Sequence, residues 1–333
     1  MNPPSPGRRF LVTGGAGFIG SHLCEALLAG GHAVTVLDDL STGRRSNLDR
    51  AFSLHAGAVE FVEGTVSAGL PALEGREYDG IFHLAAAVGV RLVVADPAAA
   101  VESNVLETIA VLAHASRRRT PVLLASSSEV YGKGAGTPFR EGDDLVFGPP
   151  SVARWSYGLS KAIDEQLALA HAARDGLPVT IARFFNTVGP RQRGRYGMVL
   201  PRFVAAALDG AELEIHGSGE QVRCFCDVRD VAQALPRMLA EPRCRGRVFN
   251  VGSDRPTTIN ELAATVLRVT GSRSAVRRVA HADVFGPGFE DLAVRVPDIS
   301  LVRAAIGFDP AIGIERTVQD IAAELSAVQE GAA

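Results

Sequence analysis

The sequence predicts an α/β protein: a doubly wound parallel sheet followed by a smaller α+β region. Three observations predict it. Short apolar runs alternate with helical stretches of 10–20 residues through the first half of the chain. A glycine cluster stands at the first strand-to-helix junction, GGAGFIG at residues 14–20. After Arg183 the alternation gives way to a loop rich in Gly and Arg and then to short strands and helices.

Each element has its own justification. Residues 8–15, RRFLVTGG, form an apolar run that ends in glycines, as a buried strand does. From Phe18 to Gly30 the apolar residues Ile19, Leu23, Ala26 and Leu27 fall at helical spacing, with Gly30-Gly31 as the stop. Residues 33–37, AVTVL, predict a second strand, and further strands are expected at 59–62, 80–84, 121–125 and 179–182. Helices are expected between them, notably over 98–117 and 156–174. Strands alternating with helices imply parallel βαβ units with right-handed crossovers. Residues 184–197, FFNTVGPRQRGRYG, predict a long functional loop. Beyond it the pattern predicts strands at 213–216 and 224–227, and helices near 229–240, 258–270 and 315–327. The domain reading is 1–185 for the first domain and mainly 186–333 for the second, with 229–256 returning to the first.

The 333 residues suit about two domains, and 47% hydrophobic with 21% charged residues supports a sizeable core. Net charge is −3, which argues against nucleic acid as a partner. Arg91 and Asp96 interrupt the Ala/Val-rich stretch near residue 90, so no membrane span is expected. The N-terminus lacks the apolar core of a secretory signal, and a cytoplasmic location is expected. Cys24, Cys224, Cys226 and Cys244 form no CxxC pair and no His-spaced set, so they read as reduced, buried thiols with no metal site.

Two motifs carry chemistry. Glycines at 14, 17 and 20 open a helix after a strand, where small residues let the backbone approach a pyrophosphate. Asp38 ends the second strand 18 residues beyond Gly20, placed to accept the adenosine ribose hydroxyls. A carboxylate there repels a 2′-phosphate and favours NAD over NADP. The second motif is Tyr157-x-x-x-Lys161 on an expected helix, with Ser126-Ser127-Ser128 ending a strand about 30 residues earlier. At i and i+4 the phenol and ammonium share one face, and the ammonium favours the phenolate as a base. Of the 34 basic residues only Lys133 and Lys161 are lysine, which argues that an ammonium is required at 161.

With these residues in view, the chain resembles the extended short-chain dehydrogenase/reductases that act on nucleotide sugars, a Rossmann-type family. The resemblance runs through GGAGFIG (14–20), Asp38-Asp39-Leu40, HLAA (83–86), Asn104, SSSEVYG (126–132), YGLSK (157–161), RFFNTVGPRQ (183–192) and RCFCDVRD (223–230). It implies a bound NAD, a catalytic Ser127, Tyr157 and Lys161, and a UDP-sugar in the C-terminal cleft. The cofactor residues it implies are Gly14, Gly17, Phe18, Ile19, Gly20, Asp38, Asp39, Ser41, Thr42, Gly43, Thr65, Val66, Leu84, Ala85, Ala86, Asn104, Ser126, Tyr157, Lys161 and Phe184. For the substrate it implies Ser127, Ser128, Glu129, Tyr157, Asn186, Arg195, Val199, Leu200, His216, Arg223 and Arg295. Thr65 stands where the family usually carries an Asp against the adenine. A homodimer through the helices over 98–117 and 156–174 is also implied.

The family's chemistry begins with oxidation at C-4 of the sugar, Tyr157 taking the hydroxyl proton. Family dehydratases carry an Asp-Glu pair where this chain has Ser128-Glu129, so dehydration is disfavoured. SSSEVYG, the segment before Tyr157 and VRVPDIS (294–300) are similar to UDP-glucuronate decarboxylases, with Arg295 matching an arginine associated there with the intermediate. GPRQRGRYGMVLPRF (189–203) is similar to bacterial sugar 4-epimerases. Arg191, Arg193 and Arg195 are expected to close over the sugar and pair with a carboxylate. The reading adopted from sequence is a UDP-glucuronate 4-epimerase forming UDP-galacturonate. The alternatives are a UDP-glucuronate decarboxylase, a 4-epimerase of a neutral UDP-sugar, or an NAD-binding sensor without turnover. The retained Ser127, Tyr157 and Lys161 speak against the last.

Overall fold

A computed structural model describes residues 7–89, 96–134, 136–194, 198–280, 283–284 and 292–332, the last five without their side chains. A seven-stranded, all-parallel sheet forms its centre, in the order β11-β6-β5-β4-β1-β2-β3. Its strands are β1 (Arg9–Thr13), β2 (Ala33–Asp38), β3 (Val59–Glu63), β4 (Gly80–His83), β5 (Val122–Ser127), β6 (Val179–Phe184) and β11 (Arg247–Val251). The helices of this half are α1 (Phe18–Ala29), α2 (Asp49–Leu54), α3 (Val66–Gly69), α4 (Pro97–Ser116) and α5 (Ser156–Asp175). One apolar cluster packs α1 against one face of the sheet, with Leu23, Leu27, Val12 and Val36 fully buried. Another packs α4 and α5 against the other face through Val111, Leu112, Leu124 and Ala168. Such burial stabilises by about 1.5–3 kcal/mol per large aliphatic side chain.

Local chemistry fixes the helix ends. Pro97 opens α4 behind Asp96, whose carboxylate accepts from the Ala99 amide at 3.0 Å. Gly176 closes α5 in the left-handed conformation, φ 66°. The helix α1 differs, with no side-chain cap and no acidic residue in its first turn. Its N-terminal amides face the carboxyl edge of the sheet, where ligands of open α/β sheets bind.

Much of the second half of the chain lies over that edge, while Val231, Leu235, Met238 and Val302 pack with α1 in the first apolar cluster. It contains β7 (Thr187–Val188), β8 (Leu213–His216), β9 (Val222–Cys224), β10 (Cys226–Asp227), β12 (Pro256–Thr258), β13 (Val276–Val279) and β14 (Val294–Arg295). Its helices are α6 (Val199–Leu208), α7 (Val228–Ala240), α8 (Ile259–Thr270), α9 (Ser300–Ile306) and α10 (Ile314–Ala332). The single strand expected at 224–227 is two: Phe225 separates β9, which joins β12 and β14, from β10, which joins β7. A two-residue pairing leaves no alternation to read from sequence. All four cysteines are free and buried.

Candidate functional site

A cleft of about 760 Å³ runs along the carboxyl edge of the sheet between the two halves. Its nucleotide end is built from backbone and small residues. Gly14 sits at φ 69°, and a Cβ there would lie 2.6 Å from the Ala85 amide nitrogen. A Cβ on Gly20 would lie 2.2 Å from the Gly14 carbonyl oxygen, so only glycine lets α1 approach β1 this closely. Asp38 is buried at the end of β2, accepting from the Ala16 amide at 2.9 Å and the Leu40 amide at 2.8 Å. Burial raises its pKa above the usual carboxylate value, and the amide hydrogen bonds partly oppose that.

Gly14, Gly17, Phe18, Ile19, Gly20, Asp38, Asp39, Ser41 and Thr42 all line this end, as do Thr65, Val66, Leu84, Ala85 and Ala86. Gly43 and Asn104 are not on the wall. Asn104 is buried, accepting from the Ala87 amide at 2.8 Å and donating to Ser160 at 3.1 Å, so it braces α5 behind the cleft. Gly43 packs beneath, where a Cβ would lie 2.9 Å from the Ala16 backbone. Thr65 caps α3, accepting from the Ala68 amide at 3.3 Å, and Glu107 beside it accepts from the Ser67 amide at 2.5 Å. Arg45 lies over the Phe61 ring at 4.6 Å.

The catalytic end is built from charged side chains. Ser126, Ser127, Ser128 and Glu129 follow β5 to the wall, facing Tyr157 and Lys161 on α5. The Ser127 hydroxyl hydrogen-bonds Tyr157 and accepts from the Glu129 amide at 3.2 Å. Burial raises the Tyr157 pKa and the Glu129 charge raises it further, while the Ser127 bond opposes both. Lys161 Nζ pairs with Asp164 Oδ2 at 2.9 Å, with both side chains almost wholly buried.

Glu129 is held by two guanidinium groups, Arg154 Nη1 at 2.5 Å and Arg295 Nη1 at 2.6 Å. Burial works against its ionisation, but Arg295 and Arg154 outweigh it and hold the carboxyl down at about 2. Arg154 was missed from sequence. Its only signal is its place three residues before Tyr157, where it also packs on Trp155.

Asn186, Val199, Leu200, His216, Arg223 and Arg295 also line the cleft, as does Phe184, which the resemblance assigns to the cofactor. Arg223 and Arg295 are register partners on the paired strands β9 and β14. Arg202 Nη1 donates to His216 Nε2 at 2.8 Å. Thr187, also unforeseen, turns a buried hydroxyl without a hydrogen-bond partner towards the cleft wall. Arg191 pairs with Glu25 on α1 at 2.5 Å, and Arg193 donates to the Thr42 carbonyl at 3.3 Å. These two hold the loop to the nucleotide half, and both line the cleft. Arg195 lies outside the described residues.

The uncapped amides of α1, the glycine cradle and the buried Asp38 fit a dinucleotide at one end, against a Ser-Tyr-Lys set at the other. Residues 10–252 match the model of the NAD dependent epimerase/dehydratase family. The chain belongs to this family. NAD is its cofactor. One relative is a UDP-N-acetyl-alpha-D-glucosaminuronate decarboxylase of Bacillus cytotoxicus, 37% identical over 94% of this chain and 97% of that protein. Another is UDP-glucuronic acid decarboxylase 1 of Danio rerio, 32% identical over 96% of this chain and 73% of that protein. Among solved structures, the UDP-N-acetylglucosamine 4-epimerase of Methanobrevibacter ruminantium, in complex with UDP-N-acetylmuramic acid, superposes with TM-score 0.87. It is 28% identical and covers 97% of this chain and 100% of its own. Among the described residues of this family member, no helix is long and apolar enough to cross a membrane.

Proposed function

We propose that this enzyme decarboxylates a UDP-hexuronate, with NAD regenerated in each turnover. The observation that carries the reading is the Arg154–Glu129–Arg295 cluster beside Tyr157. Two guanidiniums against one carboxylate leave an excess positive charge where a sugar carboxylate would lie. Bound NAD supplies the hydride acceptor at C-4 and then returns that hydride. Tyr157, oriented by Ser127, takes the C-4 hydroxyl proton and later gives a proton back. Arg295 and Arg154 orient the substrate carboxylate through charge-assisted hydrogen bonds. Glu129, fixed as an anion, stays on as a negative neighbour that favours release of neutral carbon dioxide from the β-keto acid; the electron pair of the broken C-5 bond passes into the C-4 enolate, which takes a proton at C-5 from solvent. The Arg295 and Arg154 charges hold its carboxyl well below the usual carboxylate value.

The two curated decarboxylases, at 37% and 32% identity, support this reading over the UDP-glucuronate 4-epimerase expected from sequence. The epimerase reading drew on the 189–203 segment, in which Arg191 and Arg193 are tied to α1 and the Thr42 loop. A homodimer is part of the proposal, supported by exposed Leu106 and Ile109 on α4 and Ile163 on α5. The deciding experiment is incubation with catalytic NAD and either UDP-glucuronate or UDP-N-acetylglucosaminuronate. Carbon dioxide with a UDP-pentose is the expected product. UDP-galacturonate without carbon dioxide would overturn decarboxylation in favour of the 4-epimerase.

A further inference from the structure

The catalytic ammonium is paired with a carboxylate inside its own helix. Lys161 and Asp164 stand at i and i+3 on α5, so their side chains share one face. Side-chain exposure is 3% for Lys161 and 0% for Asp164. Burying a carboxylate this completely is costly unless its charge is matched, and here the match is the lysine. The second oxygen of Asp164, Oδ1, is buried without a hydrogen-bond partner. An incompletely satisfied buried carboxylate is a poor device for stability alone.

We infer that Asp164 is a positioning residue that fixes the Lys161 ammonium and, by offsetting its charge, sets the acidity of Tyr157. The inference rests on the reading of Tyr157 and Lys161 as the catalytic pair. The electrostatic surroundings favour this arrangement. From α5, Lys161 and Glu165 act on Asp164, but Glu165 is itself neutralised by Arg183 Nη2 at 2.7 Å. From α4, the Thr108 hydroxyl hydrogen-bonds the carboxylate and also reaches His83 Nε2 on β4 at 3.2 Å. His83 is held neutral, its pKa lowered to about 3 by burial and then by the Lys161 charge. The charges that act on Tyr157 are Glu129, already matched by its two arginines, and Asp164, both of which raise its pKa, while Lys161 shares its helix face at i and i+4. Asp164 is therefore the charge that decides how much of the Lys161 field reaches the phenol. Removing it leaves that field unopposed and stabilises the phenolate.

The test uses the full chain with NAD and reads Tyr157 directly. With four tyrosines in the chain, ζ-13C-tyrosine NMR gives few enough signals for the one lost in Tyr157→Phe to be assigned. In Asp164→Asn the ionisation midpoint of Tyr157 is expected to fall by about one pH unit, typical of removing a close charge. The limb of kcat/KM that follows Tyr157 should move to lower pH with it. Asp164→Ser, neutral and smaller, should move both readouts the same way. It decides the matter if Asp164→Asn does not fold. A midpoint and a limb that stay in place, or rise, overturn the inference even if kcat falls. Failure of the underlying reading looks different: Tyr157→Phe would then retain turnover whatever Asp164 does.

Discussion

The two ends of the cleft are made of different materials. At the nucleotide end the wall is built mainly of backbone, glycines and small side chains around Asp38, from β1, α1, β2 and the turns after them, with Thr65, Val66 and residues 84–86 beside them. At the catalytic end they are ionised side chains brought from residues 127–129, 154–164, 223 and 295. The first end is positioned by chain geometry and stays put when a side chain changes. The second is positioned by mutual charge, so each member depends on the others. Binding and chemistry should therefore separate under mutation.

The sharpest separation is at Tyr157. Removing the phenol oxygen takes away the proton acceptor and leaves the glycine cradle and Asp38 untouched. Tyr157→Phe is expected to lower turnover about 10²-fold or more, the usual contribution of a general base. NAD affinity, measured by calorimetry, should stay within a factor of a few. Near-full turnover would remove Tyr157 from its role, and lost NAD affinity would mean that the two ends are not independent.

The same division explains what could be read from the sequence. The nucleotide end is local: strand, glycine turn, helix and Asp38 lie within 30 residues, so spacing alone names the ligand geometry. The parallel strand rhythm was equally legible, because strands buried on both faces are continuous apolar runs. The charge cluster was not. Glu129 and Arg295 entered only through resemblance, and Arg154 entered not at all, since nothing local distinguishes one arginine among 32. Arg191 makes a tie that was not legible for the same reason. Its partner Glu25 is 166 residues away, and no pattern along the chain announces that pair.

A second substitution probes the backbone-built end. Gly20→Ala adds a Cβ that would lie 2.2 Å from the Gly14 carbonyl oxygen, so α1 must shift away from the turn. Overpacking of this kind costs about 1–3 kcal/mol. The shift carries the α1 amides off the pyrophosphate position, and NAD affinity should weaken by about tenfold or more. Turnover at saturating NAD should fall much less than in Tyr157→Phe. An equal loss in both quantities would erase the contrast between the ends.

The smallest effect is expected at the seam between them. His83, on β4, joins Thr13 of β1 at 2.7 Å to Thr108 of α4 at 3.2 Å. Its pKa is lowered from 6.5 to about 3, by burial and then by Lys161. His22 on α1 is lowered to about 4, by burial and then by Arg191. The sign follows from linkage. Between these values and 6.5 the unfolded chain binds protons that the folded chain refuses, so stability rises with pH across that window. It is fully present above about 6.5 and is lost as pH falls towards 4 and then 3. Each histidine contributes at most about 1.4 kcal/mol per pH unit in the window. Urea midpoints measured at pH 7.5 and pH 5.5 should therefore show lower stability at the acid value. His83→Gln cannot take up a proton there, so the variant should be weaker at pH 7.5 yet lose less between the two pH values. If the variant keeps the full wild-type pH dependence, the imidazole at the seam is not the group being titrated, and the dependence belongs to His22 or to carboxylates elsewhere. If it loses part of it, the neutral histidine is a fixed strut between the end built of backbone and the end built of charge.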